Sequence, residues 1–473
     1  MQLPVALLVL AALIIVITDR SSGNAHRSSG VIALAASIIG LLYQAYYDRV
    51  VMLAESGSLG FDGMAFNDGI ASFAGTTILF IVLLALLLDY TNGLPKSRML
   101  ILLAGAGAII TAGAANIITL VLGIGILTLP FYSLVARDSR TPASREASLK
   151  FLIISFLSAA VLLLGCALYF ASTGSLALHD VTVEPSGQLF FTIGISMILA
   201  SILFMAGLFP FAAVGIDVHE GAPGNAAGAI AALGATASFT VLLRLLANPI
   251  VGNVSSGLFA GLLIIALLTI VGANLLAVIQ TDVKRMLACL AASCAGFTLM
   301  TAITFDQAAV PGVLFYFAGW TPAILVAMHI AGFASAENGH LSLNDLKGSA
   351  YRAPILSVLF TFLLASLVGI PLTIGFMGRI LILLPVINQG LTGAAVIAAI
   401  AGLGGLYAVL KVIARIFTHI AAEDESEPED EINLSIPGTS EAVGLWIITV
   451  FIVIAGIIPA PLYYLAVLAS GHL

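Results

Sequence analysis

The most constraining feature of this sequence is its run of long, uninterrupted apolar segments. A segment of roughly 20 apolar residues in helical form matches the hydrocarbon thickness of a bilayer. The chain has 473 residues, of which 60% are hydrophobic and 9% charged, against roughly 25% charged in a soluble domain. No soluble fold hides that much apolar surface from water. In lipid the backbone must satisfy its own hydrogen bonds, which leaves helices or a closed barrel. A barrel is written as short strands alternating apolar and polar residues. The runs here are continuous, so the expected fold class is an all-α integral membrane protein.

Fourteen candidate spans follow, at about 3–18, 30–47, 69–89, 98–114, 116–136, 148–171, 189–216, 224–247, 256–280, 285–303, 309–333, 354–384, 392–418 and 442–468. The first run has no basic segment before it, and so reads as a retained helix, not a cleaved signal. Between the second and third spans lies a semi-polar connector, 48–68, with Asp48, Arg49, Glu55, Asp62 and Asp68. Much of the net charge of −7 comes from Glu423, Asp424, Glu425, Glu427, Glu429, Asp430 and Glu431, a run that reads as a solvated loop. Cys166, Cys289 and Cys294 sit within apolar stretches without metal-ligand spacing, and read as small buried hydrophobes. There is no basic patch suited to nucleic acid. The expected organisation is three N-terminal helices (1–97), one five-helix unit (98–247), a second (248–420), the acidic loop (421–441) and a last helix (442–473).

Basic residues orient the spans. Of the 17 lysines and arginines, all but Arg49, Arg244 and Arg379 fall on the odd-numbered connections or the span ends beside them. The odd connections are therefore expected to face the cytoplasm, and both termini the opposite side of a bacterial cytoplasmic membrane.

Two spans carry interrupting residues near their middles. Span seven has Gly207 and Pro210; span twelve has Gly369, Pro371 and Gly375. Proline removes a backbone donor and breaks the helical ladder. The breaks lie five spans apart, in helices of opposite direction, as in two inverted repeats that each contain a discontinuous helix. The bland alternative is two ordinary kinked helices.

Ionisable residues inside a membrane are costly and are functional candidates. Arg379 follows the break in span twelve, where it either caps the carbonyl end of a half-helix or belongs to an ion path. His329 in span eleven is either a hydrogen-bonded core histidine or a titratable group near neutral pH. Arg244 reads as an end-of-helix anchor or a path residue, and Lys411, with Arg415, as a side chain that reaches for the surface. Lys150, just inside span six, is the strongest proton-handling candidate, since a desolvated lysine can lose its proton. Asp217, His219 and Glu220 form a titratable loop after the broken span seven. No carboxylate lies mid-span.

Several motifs, taken in order, carry a resemblance: Glu146-Ala-Ser-Leu-Lys150 opening a span, Glu220-Gly-Ala-Pro223 after a broken helix, Asp282-Val-Lys284-Arg-Met-Leu287 before span ten, Asn344-Asp-Leu-Lys-Gly348, and Gly369-Ile-Pro371 leading to Gly375-Phe-Met-Gly378. Over about residues 98–420 the chain resembles the antiporter-like subunit N of proton-translocating NADH:quinone oxidoreductase, respiratory complex I. The resemblance implies fourteen spans and a place in a membrane arm whose central polar axis moves protons as quinone is reduced elsewhere. It implies other membrane-arm and peripheral-arm subunits as partners. NADH, FMN, iron–sulfur clusters and quinone would be held by those partners and none by this chain, which has no dinucleotide glycine motif or cysteine cluster. The departures are substantial. Gly125 stands where the family has a glutamate, Met205 and Ala235 where it has lysines, Cys294 where it has a histidine, Ala212 where it often has one, and Arg379 where it has a lysine. Methionine, alanine and glycine do not titrate, and arginine stays protonated. The expectation divides between a subunit whose own proton path is degenerate and one that uses water with Lys150, Arg379 and His329 differently. A subunit of a cation/proton antiporter or membrane-bound hydrogenase is the alternative, and a stand-alone transporter a further one, disfavoured by the lack of midplane carboxylates.

Overall fold

The computed structural model describes residues 2–21, 25–53, 58–60, 63–90, 94–138, 142–179, 187–247, 256–304, 307–334, 341–418 and 438–471. The acidic run 423–431, and Asp48, Arg49, Glu55 and Asp62 of the first connector as regards their side chains, lie outside what is described.

Helices α1 (Gln2–Ser21), α2 (Ala25–Leu53), α3 (Gly69–Leu88), α4 (Pro95–Ala112), α5 (Ile117–Val135) and α6 (Pro142–Thr173) form the first half of the bundle. The broken pair α7 (Gln188–Met205) and α8 (Ala212–Gly221) follows, then α9 (Gly224–Ala247), α10 (Ser256–Ile279), α11 (Val283–Ala302) and α12 (Val310–Phe333). A short α13 (Ser349–Arg352) leads to the second broken pair, α14 (Pro354–Val368) and α15 (Ile374–Asn388), and then to α16 (Thr392–Phe417), α17 (Thr439–Ile457) and α18 (Ala460–Ser470). Twelve helices are long and apolar enough to cross a membrane, and four shorter apolar helices accompany them, among the described residues.

The connector before α3 carries a two-stranded antiparallel hairpin, β1 (Ser58–Gly60) and β2 (Ala65–Asn67). Two expectations need correction. The last span is not continuous: it ends at Ile457 and restarts at Ala460, because Pro459 cannot donate to the preceding turn. The segment beginning at Asp217 is not a loop, since α8 stays helical to Gly221.

The two breaks fall where proline and glycine predicted them. In the first, Gly207 takes φ +72 and the Phe209–Pro210 bond is cis. In the second, Gly369 closes α14 at φ +76, a left-handed backbone that a side chain disfavours. The halves of the chain share a further feature. Asn116 caps α5 and bridges to Ala177 after α6, while Asp282 caps α11 and bridges to Ser342 after α12.

The interhelical contacts sort the connections between two ends of the bundle. At one end, Asp89 and Arg98 meet Arg137 and Asn225, Asp282 bridges to Ser342, and the Gly348 amide donates to the Arg415 carbonyl. At the other, the segment 64–68 meets Gly113–Ala115 and Arg244, and Asn116 bridges to Ala177. The innermost helices are α3, α9, α11 and α12. Among them the buried Thr236 and Thr321 hydroxyls lie 3.2 Å apart; Thr321 donates to the Phe317 carbonyl one turn back, and Thr236 donates either to the Ala232 carbonyl or to the Thr321 oxygen. Large apolar side chains of α6, α10 and α16, such as Phe156, Leu275 and Leu403, face outward from the bundle.

Candidate functional site: helix breaks and the ionic cluster beside them

Helix α6 contains 32 residues, about 48 Å at 1.5 Å per residue, against a hydrocarbon core of about 30 Å. The helix is therefore longer than that layer, and Lys150 lies in its third turn. The lysine side chain is 39% exposed and sits between Glu146 Oε1 at 2.8 Å and Asp217 Oδ2 at 2.9 Å. The lysine is thus ion-paired on both sides. Arg285, at the start of α11, spans Asp217 Oδ1 (3.1 Å) and Glu220 Oε2. It also donates from Nε to Gln280. These five charges tie α6, α8 and α11 together around an open polar cleft of about 300 Å³. The helical continuation of α8 is what puts Asp217 and Glu220, three residues apart, on one face.

Basic side chains elsewhere meet the carbonyl ends of helices, where partial negative charge collects. Lys284 is buried and donates to the carbonyl of Ala222, the residue closing α8, at 3.2 Å. Lys411 reaches the Val278 carbonyl near the end of α10 at 3.4 Å. Arg379 donates from Nη2 to the Leu367 carbonyl at 3.0 Å, at the end of α14, and lies 5.0 Å from the Phe297 ring. This geometry is that of a cap on the broken half-helix. The Cys294 thiol donates to the same Leu367 carbonyl, with the Tyr316 hydroxyl beside it.

Arg244 makes a two-pronged pair with Asp68, both contacts 2.6 Å, with both side chains below one-tenth exposed. Asp68 at the same time caps α3 through Ala71 N–H, and the guanidinium stacks 4.3 Å over Phe66. His329 lies on α12, as expected. It lies one turn before the end of α12, next to the close approach of Gly224 and Gly332.

Beside the break between α7 and α8 lies a partly open, mainly apolar cavity of about 70 Å³, lined by Met205, Gly207, Phe211, His219 and Trp320 among others. Pro210 sits in the turn beside it, and Pro371 in the turn between α14 and α15. Of the positions marked by the resemblance, Met205 faces the cavity, Ala235 is buried, and Gly125 has open space around the position of a Cβ.

A second polar cluster escaped sequence reasoning. Asp89, Arg98, Arg137 and Asn225 converge from α3, α4, the end of α5 and α9. Arg98 is 1% exposed and donates to Ser29 Oγ at 2.8 Å and to the carbonyls of Asp89 and Tyr90. Burial pushes the Asp89 carboxyl above the usual carboxylate range, against the opposing pull of Arg137. The available signal was an acid ending one span opposite a base opening the next. Trp320 and Tyr316 gave no signal, since both sit in unbroken apolar sequence.

The family model described as the transmembrane part of the NADH:quinone oxidoreductase/Mrp antiporter group matches residues 114–404, more than half of the chain. The chain belongs to this family. A relative from Desulfitobacterium hafniense, named NADH-quinone oxidoreductase subunit N, is 28% identical over 470 residues, covering 92% of this chain and 91% of its own. In fold, the chain is similar to a subunit in respiratory complex I from Thermus thermophilus, with a TM-score of 0.81 at 22% identity, covering 98% of this chain and 99% of that one. It is equally similar to one in the Mrp complex from Dietzia, with a TM-score of 0.84 at 17% identity, covering 99% and 97%. The family is one of multi-pass membrane proteins, and the two broken helices and the cluster around Lys150 and Arg285 fall within or beside the matched segment.

Proposed function

We propose that this chain is a membrane-arm subunit of a proton-translocating NADH:quinone oxidoreductase, seated among other membrane-arm and peripheral-arm subunits. The single observation that carries the reading is the near end-to-end match to a protein named subunit N of that enzyme. The chain does no redox chemistry itself. NADH, FMN, iron–sulfur clusters and quinone belong to its partners, and electron transfer there is coupled to proton movement here.

The reading includes fourteen crossings, in which α1 and the α14–α15 pair each count as one, and two inverted five-helix repeats. Matched caps and strand-like bridges at Asn116 and Asp282, at opposite ends of the bundle, support the repeats. The end bearing the Lys150 and Arg98 clusters faces the cytoplasm of a bacterial inner membrane, and both termini face away from it, by the distribution of basic residues.

The proton path of this subunit departs from the usual one. Among the described residues the basic groups near the breaks are helix caps or ion-pair members, and no carboxylate lies between the two ends of the bundle. Deleting the chain tests the reading. Membrane vesicles from the deletion strain are expected to lose donor-driven quinone reduction coupled to lumen acidification, and retention of both would refute it. A cation/proton antiporter role predicts instead that sodium tolerance is lost while quinone reduction stays normal.

A further inference from the structure

Helices α6, α8 and α11 each border two spaces of opposite character. Lys150, Asp217 and Arg285 meet in the ionic cleft, whereas Phe151, Val218 and Ala288, from the same three helices, line the cavity beside the α7–α8 break. Phe131, Phe204, Phe211, Met205 and Trp320 also line that cavity, and no charged side chain does among the described residues.

The polar groups of the wall make little demand on the space. The amides of Ala206, Gly207 and Leu208 donate to the carbonyls of Ile202, Phe204 and Leu203, and that of Ala212 to Leu208. The Phe209 amide donates to Thr269 Oγ1 on α10 at 3.0 Å. His219 is the one titratable residue on the wall. Its Nδ1 is held on the Gly215 carbonyl, and its Nε2, like Trp320 Nε1, is shielded, so no ring nitrogen opens on the space. An ordered water needs about 2–4 polar partners, and this mainly apolar wall is poorly furnished with them.

Left empty, the space would still be unfavourable. Atoms lining a void have no partners across it and lose dispersion contacts outright, and close-packed interiors contain few voids larger than a water. The cavity has about 70 Å³, several times the about 10–15 Å³ that one water requires. It is also partly open. Ile153 and Leu157 of α6, beside the lining residue Ile154, are exposed on the outside of the bundle, and so is Phe209 in the break. The outer apolar surface therefore adjoins the cavity on two of its walls. In a multi-pass membrane protein that surface meets lipid hydrocarbon.

We propose that this cavity seats the end of a membrane phospholipid acyl chain, which enters between α6 and the α7–α8 break. The volume suits the end of a chain, with the remainder in the bilayer. A lipid tail is as apolar as the wall and loses no hydration on entry. The gain is the dispersion contact that the empty space forgoes. Met205, with a flexible and polarisable thioether, adapts to the chain. The inference rests on the membrane fold and not on the proton-translocating reading, so either stands if the other fails.

Trp320 and Trp446 are the only tryptophans in the sequence, which makes the test optical. Trp446→Phe leaves Trp320, which is 2% exposed, and Trp320→Phe leaves Trp446, which is 52% exposed. The full chain is placed in quinone-free nanodiscs of phosphatidylcholine brominated on its acyl chains, because bromine quenches indole emission at close range. Trp446 reports ordinary lipid contact and should be quenched. Trp320 is expected to lose most of its emission as well, and Ala212→Leu, which fills the cavity, should restore it. Trp320 emission as bright as in unbrominated lipid would overturn the proposal, as would quenching that Ala212→Leu leaves unchanged. Quenching seen only after a long-tailed quinone is added would assign the cavity to that tail and overturn the phospholipid assignment. A phospholipid with a diazirine on its acyl chain tests the unsubstituted chain. After irradiation, label is expected on Phe131 or Ala291, both buried and both lining the cavity. Label confined to outward residues such as Ile153 and Leu157 would overturn the proposal.

Discussion

The Asp68–Arg244 pair allows the sharpest mutational prediction, because its geometry separates an anchor from a path residue. Both side chains are below one-tenth exposed, and both contacts are 2.6 Å. Removing one member of a buried pair strands the other charge at a cost of about 3–5 kcal/mol. The two single variants differ. Asp68→Asn retains the oxygen that caps α3 and accepts from Arg244 Nη2, but removes the counter-charge and the second acceptor of the guanidinium, which otherwise meets the Ala112 carbonyl and the Phe66 ring. It should cost the full amount, a factor of at least about 100 in the folding equilibrium at 1.4 kcal/mol per tenfold. Arg244→Met leaves Asp68 on the Ala71 N–H and the positive end of α3, so its cost should be about 1–2 kcal/mol smaller. In the double variant no charge is stranded, and a coupling energy of at least about 2 kcal/mol is expected. Unfolding by sodium dodecyl sulfate in mixed micelles, followed by circular dichroism, measures all three. Additivity of the two singles within about 0.5 kcal/mol would refute the pairing argument. A drop in protons moved per electron in Arg244→Met, with stability intact, would refute the anchor reading.

Other substitutions probe the breaks and the ionic cluster. A Cβ at Gly375 would lie 1.8 Å from the Ser366 carbonyl oxygen, so Gly375→Ala should prevent accumulation of the chain in membranes; Gly125→Ala, with nothing within 4 Å, should accumulate normally. Arg379→Lys should retain the cap on Leu367 and normal coupling, whereas Arg379→Met should lower the unfolding midpoint by the loss of a charged hydrogen bond, about 1.5–3 kcal/mol; equal coupling defects in both would instead point to a specific path role. Asp217→Asn weakens two pairs whose members are about one-third exposed. It should cost less than about 2 kcal/mol, since exposed pairs are worth about 0.2–1 each, and the cost should shrink in high salt.

The helical membrane fold, most span positions and both helix breaks were legible in the sequence, because hydrophobic length and proline are local signals. Partnership was not. Asp68 and Arg244 are 176 positions apart, and nothing local in either neighbourhood names the other. Lys150 was read as opening a span because hydropathy rises at residue 148, yet the helix begins at Pro142 and that lysine is held between Glu146 and Asp217. Asp217–Glu220 read as a loop because Gly221 and Pro223 follow; the helix uses them as its stop, and its last turn displays the acids. Arg379 and Lys284 illustrate a general point. A basic residue near a break is attracted first by exposed carbonyls, and only the folded geometry shows that this demand has been met. The cavity at His219 depends on an aromatic from α12 in the other half of the chain, which no local pattern indicates.

The most direct test of the central claim is affinity purification of the tagged chain from gently solubilised membranes, with every co-purifying protein identified and quantified. The account predicts NADH- or quinone-reactive subunits in near-equal amounts, with donor-dependent quinone reduction in the same fraction. Recovery of the chain alone, or with antiporter subunits only, would contradict it.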